Sequence, residues 1–162
     1  MEKIGTRRAV DADRDVLIEA IIDQQDYERK LHDTRRPGVE IARAYLGFIK
    51  ESATRNHGAV VVAELDGAFA GYAACWIEHE YNVTETDDSN HYGYVADVYV
   101  IPRLRGRGVV AVLLEAVESH LRSIGVRRIR ITALAGNTSA LRAYGKHGFE
   151  SYEVVMEKRV HP

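Results

Sequence analysis

The stretch Val98-Tyr99-Val100-Ile101-Pro102-Arg103-Leu104-Arg105-Gly106-Arg107-Gly108 passes from a strand pattern, through a proline and a basic glycine turn, into a helix pattern. Tyr92 to Ile101 alternates as a strand that ends at Pro102. From about Gly106, Val110, Leu113, Leu114, Val117 and Leu121 recur at helical spacing, and Gly125 is the expected stop. A strand handing over to a helix through glycines places unpaired helix N–H groups, and the positive end of the helix dipole, beside backbone that a ligand can approach closely. With Arg103, Arg105 and Arg107 around it, the turn suits a diphosphate. A glycine turn that binds nothing is the bland alternative.

Working outward, Ile4 to Val10 reads as a first strand, and Asp11 and Asp13 offer N-caps to a helix with Val16, Leu17, Ala20 and Ile21 on one face. Pro37-Gly38 precedes a second helix carrying Ile41, Tyr45, Phe48 and Ile49. Gly58 to Leu65 is a strand, and Asp66-Gly67 predicts a hairpin returning over Ala68 to about Glu80. A polar loop covers 82–91. Beyond the central stretch, Arg128 to Leu134 alternates as a strand, Asn137 to His147 is a short helix ended by Gly148, and Phe149 to Val160 is expected to be a last strand. The order β-α-α-β-β-β-α-β-α-β predicts one α/β domain over residues 1–162 with a mixed sheet.

Composition narrows the class. The chain has 162 residues, 46% apolar and 28% charged, which fits one packed domain. No apolar run approaches the roughly 18 residues of a membrane helix, and the start Met1-Glu2-Lys3-Ile4-Gly5 lacks a leader's basic and apolar regions. A cytoplasmic protein with no membrane or nucleic-acid partner is expected. The single cysteine, Cys75, excludes an internal disulfide and reads as a small buried residue. None of the seven histidines is spaced i, i+4 from another, so no metal site is expected.

The net charge of −2 conceals a segregation. Between Arg55 and Arg103 there is no Lys or Arg, while Glu64, Asp66, Glu78, Glu80, Glu85, Asp87, Asp88 and Asp97 fall there. From Arg103 to Arg130 seven arginines face only Glu115 and Glu118. Read as function, one region suits a cation and the next an anion; read plainly, both are solvated faces.

Gly106 to Ala111 also fits the loose dinucleotide pattern Gly-x-Gly-x-x-Gly/Ala, but that motif puts its first glycine directly after the strand and an acid about 20 residues on. Here Pro102 to Arg105 intervene, and no Asp or Glu occurs from Ser119 to Phe149. Only Arg128 or Arg130 would be left, as binders of a 2′-phosphate.

Downstream stands Asn137-Thr138-Ser139-Ala140-Leu141-Arg142-Ala143-Tyr144-Gly145-Lys146-His147-Gly148-Phe149. Together with 98–108 it resembles the GNAT superfamily of acetyl-CoA-dependent N-acetyltransferases. The resemblance implies a mixed, mainly antiparallel sheet of about six to seven strands flanked by about four helices. It implies acetyl-CoA as cosubstrate, with Val98, Tyr99 and Val100 pairing along the pantetheine arm and Arg105, Gly106, Arg107, Gly108, Val109, Val110 and Ala111 holding the pyrophosphate. It further implies Asn137 on the pantetheine and Tyr144 beside the sulfur. Residues 137 and 144 are two helical turns apart and share a face; a half-buried aromatic is the structural alternative for Tyr144. Val110 stands where the family often has Gly. The short segment after Phe149 leaves the sheet edge incomplete or completed by a second subunit in a homodimer.

Transfer to an amine requires a neutral amine, and a pKa near 10.4 leaves roughly 0.04% neutral at pH 7, so a base is expected. A backbone N–H near Val98 or Tyr99 would polarise the thioester oxygen, and Tyr144 is the candidate general acid for the departing thiolate. Asp97, placed like an acid in diamine-acetyltransferase-like relatives, is the candidate base or ammonium binder; pairing with an arginine or capping the sheet edge is its alternative. Trp76, Glu78, Glu80 and Tyr94 are further acceptor-side candidates, Trp76 serving equally as core. Thr132 stands where some relatives carry a glutamate. The expected acceptor is a primary amine, of a small cationic molecule (polyamine, aminoglycoside) or a peptide. The alternative is an acyl-CoA-binding module without turnover.

Overall fold

The computed structural model describes residues 3–161; Met1 and Glu2, on which the reading of the amino terminus partly rests, and Pro162 lie outside the described residues. In chain order come β1 (Ile4–Arg8), α1 (Arg14–Leu31), α2 (Gly38–Arg55), β2 (Ala59–Leu65), β3 (Ala68–His79), β4 (His91–Val100), α3 (Val109–Ser123), β5 (Ile129–Ile131) and α4 (Thr138–Lys146), with single 3-10 turns at Asp11–Asp13 and Pro102–Leu104. The strands form one sheet in the order β1-β2-β3-β4-β5, antiparallel except for the parallel pair β4–β5.

Local chemistry explains most boundaries. Asp66 and Gly67 both have positive φ (50° and 82°), the mirror-image turn whose twist matches the strands it joins. Asp13 does not cap α1 with its side chain, as expected from sequence; its Oδ2 instead accepts from Val10 N (2.7 Å), and the Arg7 guanidinium grips both its oxygens. That guanidinium holds the Asp13 carboxyl below the usual carboxylate range.

The sheet is buried on both faces. α3 lays Val109, Leu113, Val117 and Leu121 against Val61, Cys75 and Val95, and α1 and α2 lay Leu17, Ile21, Leu46 and Ile49 against Val62, Tyr72 and Trp76. Each such fully buried aliphatic side chain contributes about 1.5–3 kcal/mol. Burial of the Cys75 thiol among them pushes its pKa up to about 11, consistent with a core residue.

Two irregularities shape the functional end. In the β3–β4 ladder Asp97 pairs with Ala74 and Val95 with Cys75, so Ala96 is an extra, bulged residue. Immediately beside it β5 stops: β4 pairs with β5 only at Gly93, Tyr94 and Val95. From Ala96 to Val100 the second edge of β4 meets no strand among the described residues.

The expectation of six to seven strands is corrected to five among those residues. Phe149 to Val160, expected as a strand, forms neither strand nor helix and joins no ladder among the described residues. A strand needs a partner edge for its backbone and a covered face for its side chains. Here Tyr152, Val154 and Met156 are 61%, 78% and 90% exposed. The segment is held instead by Tyr152 stacked on Arg130 and by Glu157 and Arg159 near His32 and Asp33.

Candidate active site

A cavity of about 870 Å3 opens where β4 and β5 part, walled by the carboxyl-terminal half of α1, the β4 edge, the glycine turn with the start of α3, residues 131–134, and α4. Of the residues singled out from sequence, Tyr94, Asp97, Val98, Tyr99, Val100, Arg105, Gly106, Gly108, Val109, Val110, Ala111, Asn137 and Tyr144 line it. Arg107 belongs to the turn but does not line the cavity. Trp76 is buried (3% exposed), wedged edge-on against Phe48 and Tyr94, and donates its indole N–H to Glu78. Neither residue reaches the cavity, and Glu80 is occupied by Tyr92 and Arg130.

The glycine turn is built for close approach. Gly106 (φ 77°) and Gly108 (φ 86°) adopt the left-handed conformation, and Gly108 leads directly into α3. The first N–H groups of α3 lack intrahelical acceptors and point towards the turn. Arg105 folds back so that its Nε donates to Val100 O (3.2 Å) and its guanidinium lies 5.4 Å from the Tyr27 ring centre. On α4, Asn137 Oδ1 caps the helix by accepting from Ala140 N (3.2 Å), leaving the amide NH2 as its group for a ligand.

Asp97 is the buried carboxylate of the cavity wall. It is 6% exposed, directly after the bulge at Ala96, and it receives Tyr45 Oη–H on Oδ2 (2.8 Å) and Gln24 Nε2–H on Oδ1 (3.1 Å). Tyr72 Oη donates in turn to Gln24 Oε1 (3.3 Å). Burial raises the Asp97 pKa to about 6; Tyr45 and Gln24 oppose the rise and the nearby Glu28 charge adds to it. The anticipated pairing of Asp97 with an arginine is not what the fold makes. Tyr45 and Tyr72 are pushed up by burial and by the Asp97 charge, so both stay donors. Tyr144, half-buried against Phe149, rises to about 12 through burial and the charges of Asp97 and Glu28. Tyr94 Oη and Thr132 Oγ1 share a hydrogen bond (3.2 Å) on the opposite wall.

Gln24, Glu28, Arg35 and Tyr45 were not singled out from sequence as site residues. A signal existed on α1, where the face carrying Leu17 and Ile21 continues into Gln24 and Glu28; an apolar stripe that turns polar at one end marks the point where a helix leaves the core for a cavity. For Tyr45, on the apolar face of α2, periodicity predicts only core, and the hydroxyl's destination is a tertiary matter.

Comparison with known proteins agrees with this geometry. The model of the acetyltransferase (GNAT) family matches residues 21–149. The chain is 32% identical over 114 residues to an aminoglycoside N(6')-acetyltransferase type 1 of Stenotrophomonas maltophilia, covering 69% of this chain and 72% of that one. It is 29% identical over 113 residues to the same-named protein of Salmonella typhimurium, covering 70% and 77%. Among solved structures, the aminoglycoside acetyltransferase AAC(6')-Iy, in complex with a bisubstrate analogue joining CoA to acetylneamine, superposes with a TM-score of 0.71 at 21% identity over 99% of each chain. The fold, the cavity and the family match converge: this chain belongs to the acetyltransferase (GNAT) family and is an acyltransferase.

Proposed function

We propose that the chain transfers the acetyl group of acetyl-CoA to a primary amine, of a small cationic molecule or a peptide, by direct attack. The observation that carries this reading is the β4 edge from Ala96 to Val100, which pairs with no strand among the described residues beyond β3 on its other side, lying in one cavity with the glycine turn, Asp97 and Tyr144. An extended arm bearing amides can pair along such an edge as an added strand would. The helix-start N–H groups from Gly108 to Ala111, with Arg105, suit a pyrophosphate, and the Asn137 amide suits a carbonyl of the arm. Bound there, acetyl-CoA supplies a thioester carbonyl open to attack.

The chain's own groups do the rest. Asp97 attracts the ammonium and takes its first proton, passing it on to solvent and freeing the lone pair for attack; the second proton, lost as the nitrogen becomes an amide nitrogen, ends on the departing thiolate as the free thiol. A carboxylate near 6 is a stronger base than one near 4, yet ionised at pH 7. A β4 backbone N–H at Val98 or Tyr99 stabilises the charge developing on the carbonyl oxygen. Tyr144 remains protonated at neutral pH and donates to the departing sulfur. With its pKa near 12 the hydrogen bond, more than complete proton transfer to a thiolate near 8.5, is its contribution.

The test is free-thiol release from acetyl-CoA across a panel of primary amines. Turnover with at least one amine is expected, and Tyr144→Phe should lower kcat about 10- to 100-fold while the calorimetric affinity for CoA changes less than about threefold. Tight CoA binding with no amine turned over would leave a CoA-binding module without turnover.

A further inference from the structure

The acidic stretch of the sequence does not become an acidic wall. Of its eight carboxylates only Asp97 lines the cavity; Glu64, Glu78, Glu80 and Asp88 are taken by Arg7, Trp76, Arg130 and Arg128. Among the described residues, the one other carboxylate lining the cavity is Glu28. It stands near enough to the reacting groups for its charge to act on Asp97, Tyr45 and Tyr144. Glu28 is already answered: Arg35 Nε donates to its Oε2 at 2.9 Å, and a second Arg35 nitrogen donates to Thr34 Oγ1 at 3.2 Å. Both side chains are mainly buried (34% and 22% exposed), and both line the cavity.

We propose that Arg35 sets the acceptor class, by filling at Glu28 the place a second substrate cation would take, so that the site selects amines carrying one positive charge and disfavours polycations. This rests on the acetyl-transfer reading. The physical reason is charge balance. A monocationic amine meets Asp97 as the one unanswered carboxylate. A second ammonium that reaches Glu28 in the same cavity meets a neutral ion pair whose guanidinium repels it, and can gain the carboxylate only by displacing Arg35 from it. The selectivity thus runs opposite to that of the polycation-modifying relatives named above, whose fold the chain shares.

The test compares butylamine with 1,4-diaminobutane, equal in length but one charge apart, and adds neamine as a polycation. Wild-type protein should show kcat/KM for butylamine at or above that for diaminobutane and neamine. Arg35→Gln should raise the diamine-to-monoamine ratio about tenfold, whereas Arg35→Lys, which keeps the charge, should hold it within about twofold of wild type. A wild-type preference for the polycations, or an unchanged ratio in Arg35→Gln, overturns the proposal. If no amine releases thiol, the acetyl-transfer reading fails by itself. The same ratio, measured by calorimetry as amine affinity for the CoA-loaded protein, then decides the role of Arg35 by the same criteria.

Discussion

Asp97 shows how one residue couples stability to chemistry. In the unfolded chain its carboxyl ionises near 3.8, and in the fold near 6 because burial disfavours the charge. Between those values the folded state holds the extra proton, so this group's contribution to stability falls as pH rises and its full cost, of order 2–3 kcal/mol, is present above about pH 6. Asp97→Asn should therefore unfold at higher denaturant than wild type at pH 7.5, with the difference vanishing towards pH 4. The same variant should lose about 100-fold or more in kcat. In the wild type, kcat at saturating amine should rise through a midpoint near pH 6, and that acid limb should disappear in the variant. A variant less stable than wild type at pH 7.5, with the difference vanishing towards pH 4, would mean that the network of Tyr45 and Gln24 needs the charge. Asp97, Asn137 and Tyr144 were legible as candidates through the family resemblance that the stretches 98–108 and 137–149 carry. Gln24 and Glu28 carried only the weaker signal of an apolar α1 stripe turning polar, and Arg35 none, because nothing local distinguishes its side chain from one facing water.

Among the elements, the site depends on two left-handed glycines and one bulge. Gly108 has φ 86° immediately before α3, where any Cβ carries a penalty of about 1–2 kcal/mol. Gly108→Ala should lower the thermal midpoint by roughly 2–6 °C and weaken CoA binding measured by calorimetry. Gly145, within α4 and with open space where a Cβ would stand, is the matched control. Gly145→Ala should leave the midpoint unchanged or raise it slightly, since alanine is the better helix former. Equal losses at both positions would remove backbone conformation as the cause. The glycine turn was readable from its spacing. The bulge at Ala96 was not: Tyr92 to Ile101 alternates smoothly, and only the register against β3 reveals the extra residue. The sheet's parting at Val95 was equally hidden, because Arg128 to Leu134 alternates beyond the three residues that pair.

Across the whole molecule the two charge blocks turn out to face each other. Asp88 binds Arg128 at 2.7 Å, and Arg130 donates to Ser89 Oγ at 2.7 Å and approaches Glu80 at 3.7 Å, so the acidic loop between β3 and β4 is fastened to Arg130 of β5 and to Arg128 just before it. Arg130 is also sandwiched between Tyr92 and Tyr152, at 4.0 and 4.6 Å from their ring centres, which ties in the carboxyl-terminal segment. Mainly buried and multiply engaged, Arg130 is worth about 1–3 kcal/mol. Arg130→Ala should lower the thermal midpoint by roughly 3–8 °C, whereas Arg128→Ala, removing an exposed pair, should shift it by no more than about 1 °C. Similar shifts for both would show that the sandwich contributes little. The segregation of charge was real, but of the acidic block only Asp97 lines the cavity, while Glu80 and Asp88 answer arginines of the basic block. The sequence by itself determined what neighbours along the chain decide: helical and strand periodicity, the Asp66-Gly67 turn, the glycine turn before a helix, and the two motifs that carry the family. Tertiary structure alone decided which charges answer one another and which face the cavity. Gln24 and Asp97 stand 73 residues apart, and Tyr45 and Asp97 52. Contacts over such separations are set by how helices dock on the sheet, which no local pattern encodes.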